Sequence, residues 1–87
     1  GKAMGEFGEV CAAKYDFTRE KQDAFSSESV RRAVAAREHF AAEIVGVKVA
    51  GRKGEVLVDA DEEPARCDLS KIPTLRAAFR KDGTITA

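Results

Sequence analysis

Two short β-branched runs flank the pentapeptide Ala50-Gly51-Arg52-Lys53-Gly54, and this feature limits the fold more than any other. Ile44, Val45, Val47 and Val49 form the first run; Val56, Leu57 and Val58 form the second. Such runs, separated by a glycine-bearing turn, read as an antiparallel hairpin. Gly51 and Gly54 can both take the positive φ that a tight turn demands. After the hairpin come Asp59, Asp61, Glu62 and Glu63, a stretch that cannot form a strand core and reads as a surface loop before Pro64.

The rest of the chain reads as helical. Met4 to Tyr15 predicts a short helix, with Phe7, Val10, Cys11 and Lys14 on or beside one face. Gly5 and Gly8 weaken that helix, and Asp16 and Phe17 break its pattern. Thr18 is an N-cap candidate, since its hydroxyl can accept from the free amides of the next turn. A long amphipathic helix is expected from about Arg19 to about His39. Phe25, Ser29, Ala33, Ala36 and Phe40 step round its apolar face, and Glu28 and Arg32 have the favourable i, i+4 order. Ser70 is expected to cap one further short turn, which Pro73 limits. Leu75-Arg76-Ala77-Ala78-Phe79 can return apolar side chains to a core. Lys81-Asp82-Gly83 reads as a turn, and Thr84 to Ala87 as the start of an extended segment. The expected fold is α+β: two helices packed with a β-hairpin and a short helical turn.

With 87 residues there is room for one small domain. A domain of this size buries only about two thirds of the surface its unfolded chain exposes, so docking on a larger body is expected. At 44% hydrophobic and 34% charged residues, the chain is too apolar for a disordered tail. The formal net charge is zero, whereas nucleic-acid binders carry a basic surplus. No apolar run approaches the roughly 20 residues that cross a bilayer. No charged-then-apolar opening reads as a secretory signal, which by itself leaves the address open; the expected address is cytoplasmic or mitochondrial, not secreted.

No catalytic set is visible. His39 lies at a polar helix end with no nucleophile at fixed spacing. Cys11 is expected to be a buried structural thiol on the apolar side of the first helix. Cys67 follows Arg66, one neighbour that could lower a thiol pKa. With one histidine and no Cys-x-x-Cys, zinc is not expected. The Gly51-Arg52-Lys53-Gly54 tip could meet phosphate, but an exposed basic turn more often only solubilises.

Taken in order, six segments resemble the thiolase family. They are Met4-Gly5 opening a helix that closes at Lys14-Tyr15; Thr18-Arg19-Glu20-Lys21-Gln22-Asp23-Ala24-Phe25; Phe40 with Glu43-Ile44-Val45 and Val47; Gly51-Arg52-Lys53-Gly54; Val58-Asp59-Ala60-Asp61-Glu62; and Leu75-Arg76 through Ala78-Phe79 to Lys81-Asp82-Gly83-Thr84-Ile85-Thr86-Ala87. Departures are Ala3 in place of the family's His, Val10 in place of Asn, and Gly46 and Ala77 in place of Pro.

The resemblance implies an acyltransferase of fatty-acid metabolism. Such an enzyme joins two acetyl-CoA units or cleaves a 3-ketoacyl-CoA through an acyl-cysteine. Residues 1–87 resemble the coenzyme-A-binding loop domain of such an enzyme, excised from a longer chain. The nucleophilic cysteine and the acid–base pair would lie outside this segment, which alone should be inactive. By the same resemblance Arg66 lies by the adenine and its phosphate, with Ser70 and Lys71 flanking that end. Ala78 and Phe79 line the adenine and pantetheine channel, and Met4 borders the acyl pocket. A guanidinium can both stack on adenine and pair with phosphate. Coenzyme A as substrate, no metal, the rest of the thiolase chain and a homodimeric or homotetrameric parent are the expected partners; nucleic acid and membrane are not. Two alternatives remain at this point. The segment could be a stand-alone interaction module derived from the same domain, and Arg66 could be a surface charge balancing Asp61 to Glu63.

Overall fold

The hairpin forms with strand β1 at Val47–Gly51 and strand β2 at Gly54–Val58 of a computed structural model that describes residues 1–87. The strands pair antiparallel, Val47 opposite Val58 and Val49 opposite Val56, closing on Gly51 opposite Gly54. These four valines therefore share one face, since side chains alternate along a strand. Of the two glycines only Gly54 takes positive φ, at 110°. It absorbs the twist of the two-residue Arg52–Lys53 connection, and Gly51 does not need to. The first strand begins at Val47 and not at Ile44. Extending it backwards would pair Ile44 to Gly46 with the acidic stretch after Val58, where no ladder forms.

Helix α1 spans Met4–Lys14. It ends because Asp16 enters the left-handed region, at φ 55°, a conformation Asp tolerates better than most residues. The Phe17 amide then turns back to the Ala12 carbonyl at 2.9 Å, the backbone pattern of a left-handed helix stop. Helix α2, Arg19–Ala35, starts where expected. The Lys21 amide donates to the Thr18 hydroxyl at 3.2 Å, so Thr18 is the cap. The helix stops short of His39, however. Ala36 leaves helical geometry (φ −86°, ψ 2°) and caps a separate turn, α3 at Arg37–Phe40. No Gly or Pro marks this break in the sequence.

Helix α4 is one turn, Glu63–Arg66, with Pro64 in its first positions. This corrects the reading of Asp59 to Glu63 as loop throughout. Proline lacks the amide that a first turn leaves unpaired anyway, and its fixed φ suits a helix start. A 3₁₀ helix follows at Leu69–Thr74. Its cap is Asp68, which accepts the Ser70 amide at 3.0 Å and the Ser70 hydroxyl at 2.6 Å. Ser70, expected to be the cap, is instead the donor.

The fold is α+β, with helices and one two-stranded antiparallel sheet. Two compact units divide it: Gly1–Ser29 with Asp68–Ala87, and Val30–Cys67. The buried residues, Glu9, Ala12 and Ile72, all belong to the first. No residue of the hairpin is buried. No helix is long and apolar enough to cross a membrane.

Candidate functional site

The inward face of α1 is not the apolar one. Phe7 and Val10 are exposed, and so is Cys11, expected to be buried. The face turned inward carries Gly5, Gly8, Glu9 and Ala12. Small residues at this spacing let another stretch of backbone approach the helix closely, and residues 78–85 do so. The Phe79 ring lies where a Gly5 Cβ would stand. Ile85 lies 3.3 Å from the place of a Gly8 Cβ. One oxygen of the Glu9 carboxylate accepts both the Thr84 and Ile85 amides, each at 2.8 Å. The same oxygen occupies the space a Gly83 Cβ would need. At the edge of this contact Arg80 donates to Glu6 at 2.8 Å.

The segment itself closes into a loop. The Gly83 amide donates to the Arg80 carbonyl at 3.1 Å, which makes Lys81–Gly83 a turn as expected. The Ala78 amide donates to the Ile85 carbonyl at 2.9 Å. Ala78 is thus tied to Ile85, and Ile85 to Glu9.

A second polar anchor holds the 3₁₀ helix. Arg19 donates to the Ile72 carbonyl at 2.7 Å and the Leu75 carbonyl at 2.9 Å, and its Nε pairs with Asp23 at 2.7 Å. Gln22 donates to Thr84 at 2.9 Å and to the Phe17 carbonyl at 3.0 Å. The first turns of α2 therefore meet the C-terminal segment through Arg19 and Gln22. Phe25, expected on the inward face, is 78% exposed.

Of the six residues singled out in the sequence, Met4, Ser70, Lys71, Ala78 and Phe79 belong to the first unit and Arg66 to the second. Met4 opens α1 with its side chain in solvent. Ser70 and Lys71 are exposed on the 3₁₀ helix. Asp68 beside them is held below the usual carboxylate range, chiefly by the Ser70 hydroxyl and then by its amide. Arg66 ends α4, two-thirds exposed, with Nη1 at 3.4 Å from Glu62 and 4.0 Å from Glu63. The chain just before it is helical. A cavity of about 590 Å³ lies elsewhere in the first unit, lined by Phe17, Lys21, Gln22, Phe25 and Ser26; none of the six lines it.

Glu9 and Arg19 escaped the sequence reading, because charged residues in an amphipathic helix are expected to face water. The signal that could have exposed Glu9 is the row Gly5, Gly8, Ala12. Small residues at helical spacing mark where another segment comes closest, and Glu9 sits within that row.

Residues 1–87 match the family described as thiolase, N-terminal domain. A probable acetyl-CoA acetyltransferase from Dictyostelium discoideum is 47% identical over 89 residues, covering 99% of this chain and 22% of that protein. A mitochondrial acetyl-CoA acetyltransferase from Aspergillus fumigatus is 44% identical over 85 residues, covering 95% of this chain and 20% of its own length. The solved acetyl-CoA acetyltransferase of Syntrophomonas wolfei superposes with a TM-score of 0.86 at 38% identity, over 99% of this chain and 22% of that one. The chain thus spans about a fifth of the length of the relatives it matches. Family match, relatives and superposition agree: this chain belongs to the thiolase family.

Proposed function

We propose that residues 1–87 are the coenzyme-A-binding loop portion of a thiolase that acts on acetyl-CoA or a 3-ketoacyl-CoA in fatty-acid metabolism. The observation that most supports this reading is the superposition of 99% of the chain on an acetyl-CoA acetyltransferase at 38% identity; the loop role rests on the residue-by-residue resemblance. On this reading the acyl-cysteine and its acid–base partners lie outside residues 1–87, in the remainder of a dimeric or tetrameric parent. Its place is the cytoplasm or the mitochondrion, the latter favoured by the Aspergillus relative.

Met4, Arg66, Ser70, Lys71, Ala78 and Phe79 are the proposed CoA-binding residues. Arg66 is suited to the nucleotide end. Its carboxylate partners are exposed, so water screens that pairing and a phosphate can compete for the fork. Lys71 adds an exposed cation nearby in sequence. The Ser70 hydroxyl proton is engaged by Asp68, which leaves its oxygen to accept. Phe79 offers an aromatic ring backed by α1 at Gly5, a flat apolar wall for adenine or pantetheine.

Kinetics of Arg66→Ala in the full-length protein that carries this chain test the assignment. KM for a CoA thioester should rise, by roughly 1–3 kcal/mol of lost binding, with little change in kcat. The penalty should shrink for the pantetheine thioester, which lacks the nucleotide. Equal penalties on the two substrates would refute the placement of Arg66 at the nucleotide.

A further inference from the structure

We propose that Glu9 is a positioning residue for the CoA channel: its buried carboxylate holds the loop that carries Ala78 and Phe79 in its binding shape. The proposal rests on the CoA-binding reading above and adds a residue that the reading does not include. Glu9 is 6% exposed, and one of its carboxylate oxygens is taken up by backbone amides of the loop. A carboxylate leaves water only when it is well satisfied, and here both donors come from one stretch of backbone, Thr84 and Ile85. Ile85 passes the constraint on, since its carbonyl accepts the Ala78 amide at 2.9 Å. Phe79 follows directly, with its ring seated on Gly5 one turn before Glu9 in α1. Gly83 completes the arrangement, because any side chain there would take the space of the Glu9 oxygen. The Glu6–Arg80 pair at the rim is partly exposed and is the weaker tie. Loop shape and channel wall therefore meet at the carboxylate, while Gln22 ties the Thr84 side chain to α2 separately.

The role differs from that of Arg66 in what it should do to binding. A residue at the nucleotide affects CoA and spares pantetheine. A residue that shapes the wall at Ala78 and Phe79 affects both. The experiment is CoA and pantetheine titration, with amide hydrogen exchange, on the full-length protein and its Glu9→Ala and Glu9→Gln variants. Gln keeps an acceptor oxygen without the charge, so it retains a fold if Ala does not. In Glu9→Ala, exchange at Ala78, Thr84 and Ile85 should quicken, and affinity for CoA and pantetheine should fall alike, by roughly tenfold. Glu9→Gln should fall between Ala and the native protein on both readouts. CoA that perturbs Ala78 and Phe79 in the native protein, yet binds both folded variants unchanged, would overturn the positioning role and leave the CoA reading standing. CoA that leaves those residues unperturbed in the native protein would overturn the CoA reading, and the positioning role with it.

Discussion

Glu9 and Gly83 occupy one another's space: the carboxylate oxygen of the first sits where the second would carry a Cβ. Gly83 is not among the glycines with positive φ, so a close approach, and not a backbone conformation, demands it. The carboxylate is the end of a flexible side chain and could in principle swing aside. Here it is buried and holds two amides, so swinging aside would break both bonds.

Gly83→Ala should therefore cost about 1–3 kcal/mol, the range for forcing extra volume into a packed site. The denaturant midpoint should fall with an unchanged slope. A midpoint equal to that of the native protein would show that Glu9 yields without cost.

Arg19→Ala should destabilise by roughly 1.5–3 kcal/mol, because the Ile72 and Leu75 carbonyls lose a charged donor. Arg19→Lys should recover only part of that. A lysine ammonium cannot reproduce the planar fork that reaches two carbonyls and Asp23 together. Thermal melts of the two variants side by side check this; full rescue by Lys would mean that only the charge matters.

Asp68 gives the 3₁₀ helix a pH dependence. Its carboxyl is depressed in the folded chain, first by the Ser70 hydroxyl and then by the Ser70 amide. A depressed acid contributes stability above its unfolded pKa, and that contribution is lost as pH falls through the folded value. Protection of the Ser70 and Lys71 amides, taken as the ratio of intrinsic to observed exchange rate at each pH, should thus fall below the usual carboxylate range. In Asp68→Asn it should be lower at neutral pH, and this local acid step should disappear. An acid step of the same size in the variant would assign it to another carboxylate.

Both thiols are exposed, so Cys11 and Cys67 should react with a maleimide under native conditions. Mass mapping should find both labelled before denaturant is added. Labelling of Cys67 alone would restore the buried position expected for Cys11.

The hairpin was legible because β-branched runs and a Gly-bounded turn are local signals, and Thr18 was legible because capping is local chemistry. The limits of β1 were not, since its pairing partners after Val58 are acidic. The break of α2 at Ala36 leaves no mark in residue type. The inward face of α1 was missed for a different reason. Apolar periodicity points to Phe7 and Val10, yet the closest packing uses Gly5, Gly8 and Ala12 with a charged residue between them. A small unit can bury a carboxylate where two backbone amides await it, and hydrophobic patterning has no term for that. The six proposed site residues came from likeness to a family. Nothing in their spacing sets Arg66, Ser70 and Phe79 apart from other exposed residues.

A CoA titration followed by backbone amide shifts asks whether this chain contributes the CoA-binding surface of a thiolase. Shifts should gather at Arg66, Ser70, Lys71, Ala78 and Phe79 and saturate with added CoA. Shifts confined to the Arg52–Lys53 hairpin tip would mean a nonspecific phosphate contact and would contradict the claim.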